Sequence, residues 1–140
     1  MRQSFPLRHA DERAIWGKGC VARGTFAFLS GTEGIDPETL LVRRTMGEQV
    51  DLAWDKLKER LEEMGTSVEN IVQKMTFVTD MDEWFRHGVW YQTRWLHRNC
   101  PQLLEHEPAG TLLGVPRLAL PEMMVEIQVI AVVPDTEDNQ

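Results

Sequence analysis

Val50, Ala53, Trp54, Leu57, Leu61 and Met64 recur at three- and four-residue steps, the rhythm of one buried helix face, while Asp51, Asp55, Lys58, Glu59 and Glu62 fall on the other side. Thr45 with Glu48 three residues on has the capping-box spacing that starts such a helix, and Gly65 is a natural stop. Asp80 with Glu83 repeats the start signal. A second helix is predicted from about Met81 to His97, with Trp84, Gly88, Tyr91 and Trp95 on one stripe and Phe85, Val89 and Leu96 broadening it. Cys100-Pro101 ends it.

Elsewhere the rhythm is that of strands. The segment CVARGTFAFLSG alternates loosely and breaks at Arg23-Gly24, which predicts two short strands joined by a tight turn, the second from Thr25 to Leu29. The run from Ile71 to Thr79 is β-branched and aromatic. Two more strands are predicted at about Gly110 to Leu118 and Met123 to Val133, separated by a turn at Leu120-Pro121-Glu122. The order is ββαβαββ, an α+β layout in which both helices cover one face of a mixed sheet.

In the last strand Val125, Ile127, Val129, Ala131 and Val133 point one way, and Glu126, Gln128, Ile130 and Val132 the other. Two helices of this size bury one sheet face only, so the second, partly apolar face is expected to pack against another copy of the chain. Glu126 is a lone carboxyl among aliphatic neighbours. Such a group must meet either solvent in a cleft or hydrogen-bond partners.

Composition narrows the functional classes. At 42% hydrophobic and 26% charged, with no linker, repeat or low-complexity segment, residues 1–140 read as a single folded domain. The acidic, apolar-free end PDTEDNQ, residues 134–140, is expected to be disordered. A net charge of −7 with no basic block disfavours nucleic acid as a partner, and Arg43-Arg44 and the group Arg94, His97, Arg98 read as solvated surface. No stretch reaches the roughly 20 apolar residues of a membrane span, and the N-terminus lacks the apolar centre of a signal peptide. No membrane contact and a cytoplasmic location are therefore expected. Cys20 and Cys100 form neither a CxxC nor a Cys/His set, so both are expected to be reduced thiols, with no metal site and no cofactor.

Longer stretches carry a resemblance. FLSG at 28–31, EQV at 48–50, VQKMTFVTDM at 72–81, Tyr91 with Trp95, and PAGTLLGVPRLALPEMMVEIQVIAV at 108–132 together resemble the RidA family, also called YjgF/YER057c/UK114. The resemblance spans about residues 17–133 and rests on order and spacing rather than on any single motif. It implies a chorismate-mutase-like fold and a homotrimer with ligand clefts between subunits. The activity it implies is hydrolysis of 2-aminoacrylate-type enamines and imines, released by pyridoxal-phosphate enzymes, to 2-oxo acids and ammonia.

The resemblance also assigns residues. In the family's P-A-R-S motif an arginine grips the substrate carboxylate through two parallel hydrogen bonds, a geometry suited to guanidinium. Here the motif reads Pro108-Ala109-Gly110-Thr111, so Gly110 stands at the arginine position. The tyrosine of the family's G-P-Y stretch is absent as well, since that stretch aligns with Ile15-Trp16-Gly17. Both departures count against 2-aminoacrylate as the substrate.

Glu126 matches the V-E-I glutamate thought to hold the attacking water. Gly31, Gly110, Thr111 and Leu112 match substrate-contacting positions, the segment at Thr111 and Leu112 either offering its backbone N–H groups to the ligand or forming an ordinary ladder strand. His106, two residues before Pro108, is either a proton shuttle at the cleft mouth or an ordinary loop histidine. Arg117 matches the family's A-R-L-P arginine but sits too far along its strand to replace an arginine at 110, and it reads as structural.

Three classes stay open at this point. One is a deaminase acting on an enamine, an imine or an aminomuconate-like acid. The second is a non-catalytic trimer that binds a small carboxylate or carbonyl metabolite. The third is an endoribonuclease, against which the acidic composition argues.

Overall fold

In the computed structural model, which describes residues 1–7 and 16–135, Thr45 Oγ1 accepts from the Glu48 N–H at 3.1 Å and starts helix α1, Met46–Glu63. The predicted apolar stripe is its buried face as far as Leu61, with Val50, Ala53, Trp54, Leu57 and Leu61 solvent-inaccessible, but Met64 lies past the last helical turn and is exposed. Gly65 follows with φ +83°, a left-handed conformation that favours glycine after a helix end. Asp80 likewise accepts from the Glu83 N–H at 3.0 Å. The helical segment it opens has three parts: α2, Met81–Glu83, a π turn, Trp84–Gly88, and α3, Val89–Asn99. Gly88 lies flat against the Trp84 indole, and the widened turn carries that ring into the core. Pro101 ends α3 but also opens an unpredicted helix, α4, Pro101–Glu105, because proline suits a first helical turn.

The strands are β1, Arg2–Phe5; β2, Gly19–Ala22; β3, Thr25–Phe28; β4, Thr32–Glu33; β5, Ile71–Val78; β6, Ala109–Gly114; and β7, Val125–Val133. The main sheet has the order β3-β7-β5-β6, with β4 also paired to β7. β7 is antiparallel to β3, β4 and β5, whereas β5 and β6 are parallel, so the sheet is mixed. The predicted ββαβαββ core is present, extended by β1, β4 and α4.

One pairing differs from the sequence expectation. β2 and β3 do not form a hairpin: β2 pairs with β1 in a separate two-stranded ladder, and β3 pairs with β7. The long central β7 offers β3 a partner whose Ala131 and Val129 are buried with Ala27 and Leu29, more apolar burial than a local hairpin of four-residue strands could give. β6 also stops at Gly114 rather than Leu118, because Pro116 has no N–H to continue the ladder. The tail beyond 135 lies outside the described residues.

α1 and α3 pack on one face of the sheet, over Val125, Ile127, Val129 and Ala131. At their contact the Trp54 and Trp95 ring centroids are 5.3 Å apart. Each indole N–H is satisfied, Trp54 Nε1 by Gln92 Oε1 at 3.1 Å and Trp95 Nε1 by Asp55 Oδ1 at 2.8 Å. The opposite face carries Phe28, Met75, Phe77, Thr111, Leu113, Glu126, Gln128 and Ile130, as the register requires. Phe28 is 72% exposed there.

Candidate functional site

Glu126 sits near the start of β7, and its neighbours are set by pairing: Phe77 on β5 to one side and Glu33 on β4 to the other. The three side chains share the face away from the helices. β4 is only two residues long, and α1 holds it in place. Arg60 Nη1 donates to Thr32 Oγ1 at 2.8 Å, and that hydroxyl donates to the Ser30 carbonyl at 3.1 Å. Lys56 Nζ reaches the Glu33 carboxylate at 2.6 Å and the Glu33 and Ile35 carbonyls at 3.0 Å each. From the other end, Gln49 on α1 positions the entry to β7. Its amide donates to the Arg43 and Glu122 carbonyls at 2.9 and 3.0 Å, and its oxygen accepts from the Met124 N–H at 2.8 Å.

These anchors bring Gly31 against Glu126. A Cβ at position 31 would stand 2.7 Å from the Glu126 Cδ, so the carboxyl lies across a backbone that only glycine leaves open. Burial pushes the Glu126 carboxyl above its usual range, and the neighbouring Glu33 carboxylate pushes it further the same way. Glu33 itself is ion-paired with Lys56. A carboxyl pushed towards its acid form thus stands beside one that is paired with a lysine.

The other sequence-predicted residues scatter. Thr111 shares the face of Glu126 but lies two strands and two residues away, about 12 Å by strand spacing and rise. Gly110 and Leu112 point to the opposite, helix-covered face, in register with Lys74 and Thr76 of β5. His106 lies apart from Glu126, in a groove with Arg2, Gln102 and Asp135, where its carbonyl accepts from Arg2 Nη2 at 2.6 Å. Arg117 donates to the Leu118 and Ala119 carbonyls of its own loop. Among the described residues no group of three or more His, Cys, Asp or Glu is placed to hold a metal ion. Cys20 and Cys100 are unpaired, and burial raises the Cys100 thiol above its ordinary value.

Sequence reasoning missed Glu33, Lys56 and Lys74. Glu33 and Lys56 belong to no recognisable spacing with Glu126 and meet it only through the β4–β7 pairing. Lys74 had one signal: its place in the alternation of an otherwise apolar strand, beside Thr76 and Val78 on the helix-facing side. It is 4% exposed, and burial alone lowers its amine from 10.5 to about 8.

Comparison with known proteins places the chain. The family model described as Endoribonuclease L-PSP matches residues 11–133. A RutC family protein of Aquifex aeolicus (strain VF5) is 32% identical over 107 residues, which is 76% of this chain and 80% of that protein. Among solved structures, the YjgF gene product of E. coli has 25% identity and a TM-score of 0.66, covering 92% of this chain and 93% of its own. YyfB of Yersinia pestis, a Rid family protein, reaches a TM-score of 0.74 at 18% identity, with 94% and 98% covered, and shares the fold. Together with the mixed sheet and its helical layer, these matches establish that the chain belongs to the Endoribonuclease L-PSP family, the family of RidA and YjgF.

Proposed function

We propose that the protein is a RidA-like deaminase that hydrolyses a small enamine, imine or aminomuconate-type acid, releasing ammonia, with Glu126 as the acid–base group. The observation that carries this reading is the Glu126 carboxyl itself, raised above the usual range by burial and by Glu33, and held against Gly31 on the face no helix covers. In its acid form Glu126 donates its proton to the enamine carbon or imine nitrogen, giving an iminium. The carboxylate so formed then takes a proton from the water that attacks the iminium carbon. The carbinolamine collapses to a carbonyl product and ammonia, which balances the water consumed.

The same face carries the apolar side chains Phe28, Phe77, Leu113 and Ile130. On this reading it forms the seam of a homotrimer, and the cleft that takes substrate lies along that seam. A seam also encloses Glu126 further, which strengthens the burial that favours its acid form.

One observation favours a second reading, a non-catalytic trimer that binds a carboxylate or carbonyl metabolite: Gly110 supplies no side chain to grip a carboxylate. An endoribonuclease, the activity in the family model's name, fits less well, because Glu33 and Glu126 set two carboxyl groups side by side where a phosphodiester would have to approach. The experiment is an ammonia-release assay on freshly generated enamines and on aminomuconate. Release by the wild type supports the deaminase. Ligand binding without release across the panel supports the binding protein.

A further inference from the structure

Glu33 and Glu126 are register partners on adjacent strands, so their side chains start about 5 Å apart and their carboxyls can reach one small group between them. Among the described residues Glu33 Oε1 takes Lys56 Nζ at 2.6 Å, whereas Glu33 Oε2 and both oxygens of Glu126 have no hydrogen-bond partner. Lys56 has nothing left to give. An ammonium has three donors, and these go to the Glu33 carboxylate and to the Glu33 and Ile35 carbonyls. On this face of the sheet, among the described residues, β3, β5, β6 and β7 place no lysine, arginine or histidine.

Acceptors without donors select a ligand that donates, and a carboxyl pair with no free cation beside it selects one that is positive. The reacting group of an imine fits both conditions. Once protonated it is a planar C=NH2+ with two diverging N–H bonds, one for each carboxyl. The charge that develops on this nitrogen is met by groups already in place. A carboxylate fares the opposite way. In an imine made from an amino acid it sits on the carbon that carries the nitrogen, so a nitrogen seated between Glu33 and Glu126 would bring a third carboxyl group against them with no cation to balance it.

We propose that Glu33 is a substrate-binding residue which, with Glu126, brackets the nitrogen, and that the site accordingly takes the imine of a primary amine, with no carboxylate on the reacting carbon, in preference to an imino acid. The inference rests on the hydrolytic reading and narrows it. Glu126 gives its proton to the imine nitrogen, and Glu33 Oε2 accepts the other N–H. Water forms the C–O bond and returns a proton to Glu126. Glu126 then protonates the carbinolamine nitrogen and recovers the hydroxyl proton as the C–N bond breaks, so that imine and water become aldehyde and ammonia. Glu33 exchanges no proton in this sequence.

Benzamidinium, benzamide and benzoate share one shape and differ in charge, and benzamidinium presents a planar C–NH2+ group that does not react. Calorimetric titration of the full chain is predicted to give benzamidinium the highest affinity and benzoate the lowest, with Glu33→Gln weakening benzamidinium roughly ten- to a hundredfold, the range of a charge-assisted hydrogen bond. Ammonia release is measured alongside on imines made in the assay by flavin oxidases from benzylamine and from phenylglycine, which differ by the carboxylate. Acceleration over buffer is expected to be at least about tenfold greater for the benzylamine imine. Should Glu33→Gln not fold, the wild-type order of the three ligands and its preference between the two imines still decide. Benzamidinium bound through Glu33 with neither imine accelerated would remove the hydrolytic reading and uphold Glu33 as the residue that holds a nitrogen cation. Absence of benzamidinium binding, tighter binding of benzoate, unchanged benzamidinium affinity in folded Glu33→Gln, or faster release from the phenylglycine imine would each overturn the inference, and the last of these would still support a deaminase.

Discussion

Glu126 and Glu33 face each other across adjacent antiparallel strands, and only Glu33 has a lysine on it. Like charges directly opposite one another in a sheet are unfavourable, so one of the two carboxyls is driven towards its neutral form. Lys56 is ion-paired with Glu33, while burial first and the neighbouring Glu33 second push the Glu126 carboxyl upward.

This makes the acidity of Glu126 tunable from β4. Glu33→Gln removes the second cause of the raised pKa, and the freed Lys56 charge acts in the same direction. The inflection that Glu126 contributes to the pH–rate profile is predicted to lie above 4.5 in the wild type and to move to lower pH in Glu33→Gln. An inflection that stays in place or moves up contradicts the pairing argument.

Gly31→Ala tests the close approach. Gly31 does not have a positive φ, so alanine fits the backbone, but its Cβ must displace the Glu126 carboxyl. A misplacement of about 1 Å at a reacting group costs up to a hundredfold in rate. Turnover is expected to fall at least tenfold while urea unfolding changes by about 1 kcal/mol, since the clash is with the mobile end of a side chain.

Lys74 predicts a gain of stability from a loss of charge. The folded protein holds this amine at about 8 rather than 10.5, so burial of its ammonium costs on the order of 3 kcal/mol below pH 8. A depressed folded pKa means that the group's contribution to stability is fully present above the unfolded value of 10.5 and is lost as pH falls through about 8. Lys74→Met is expected to be more stable than wild type at pH 7 by up to that amount in urea unfolding, with the difference shrinking as pH rises from 8 towards 10.5. A less stable Lys74→Met would mean that the ammonium has a stabilising partner.

Gly110→Arg does not simply restore an arginine anchor. The new Cβ would stand 2.8 Å from the Cβ of Trp16, so either the backbone or the tryptophan must move. The substitution is predicted to destabilise the protein by roughly 1–3 kcal/mol and to give no gain in 2-aminoacrylate turnover. Gain of that activity with unchanged stability would show the space to be available.

How much of this was legible in the sequence depends on range. The capping pairs Thr45 with Glu48 and Asp80 with Glu83, the apolar stripe of α1 and the alternation along β7 are local patterns, and each appears in the structure. The facing of Glu126 with Gln128 followed from that alternation alone. What spacing could not give was partner choice: β3 bypasses β2 for β7, and β4 is too short to announce itself. The environment of Glu126 was hidden for the same reason, because Glu33 and Lys56 reach it through a long-range pairing. Within one chain the period of two turns Gly110 and Leu112 to the other side of the sheet from Glu126.

The central claim, that Glu126 performs the chemistry, rests on one comparison. Glu126→Gln keeps the size and most of the hydrogen-bonding shape of the side chain but cannot exchange a proton. Ammonia release by wild type and Glu126→Gln is to be measured on the substrate that the enamine and aminomuconate panel identifies, with the mass of both proteins checked by light scattering. The account predicts the same mass for the two and a loss of roughly a hundredfold or more in release for the variant. Equal masses with undiminished release would contradict it.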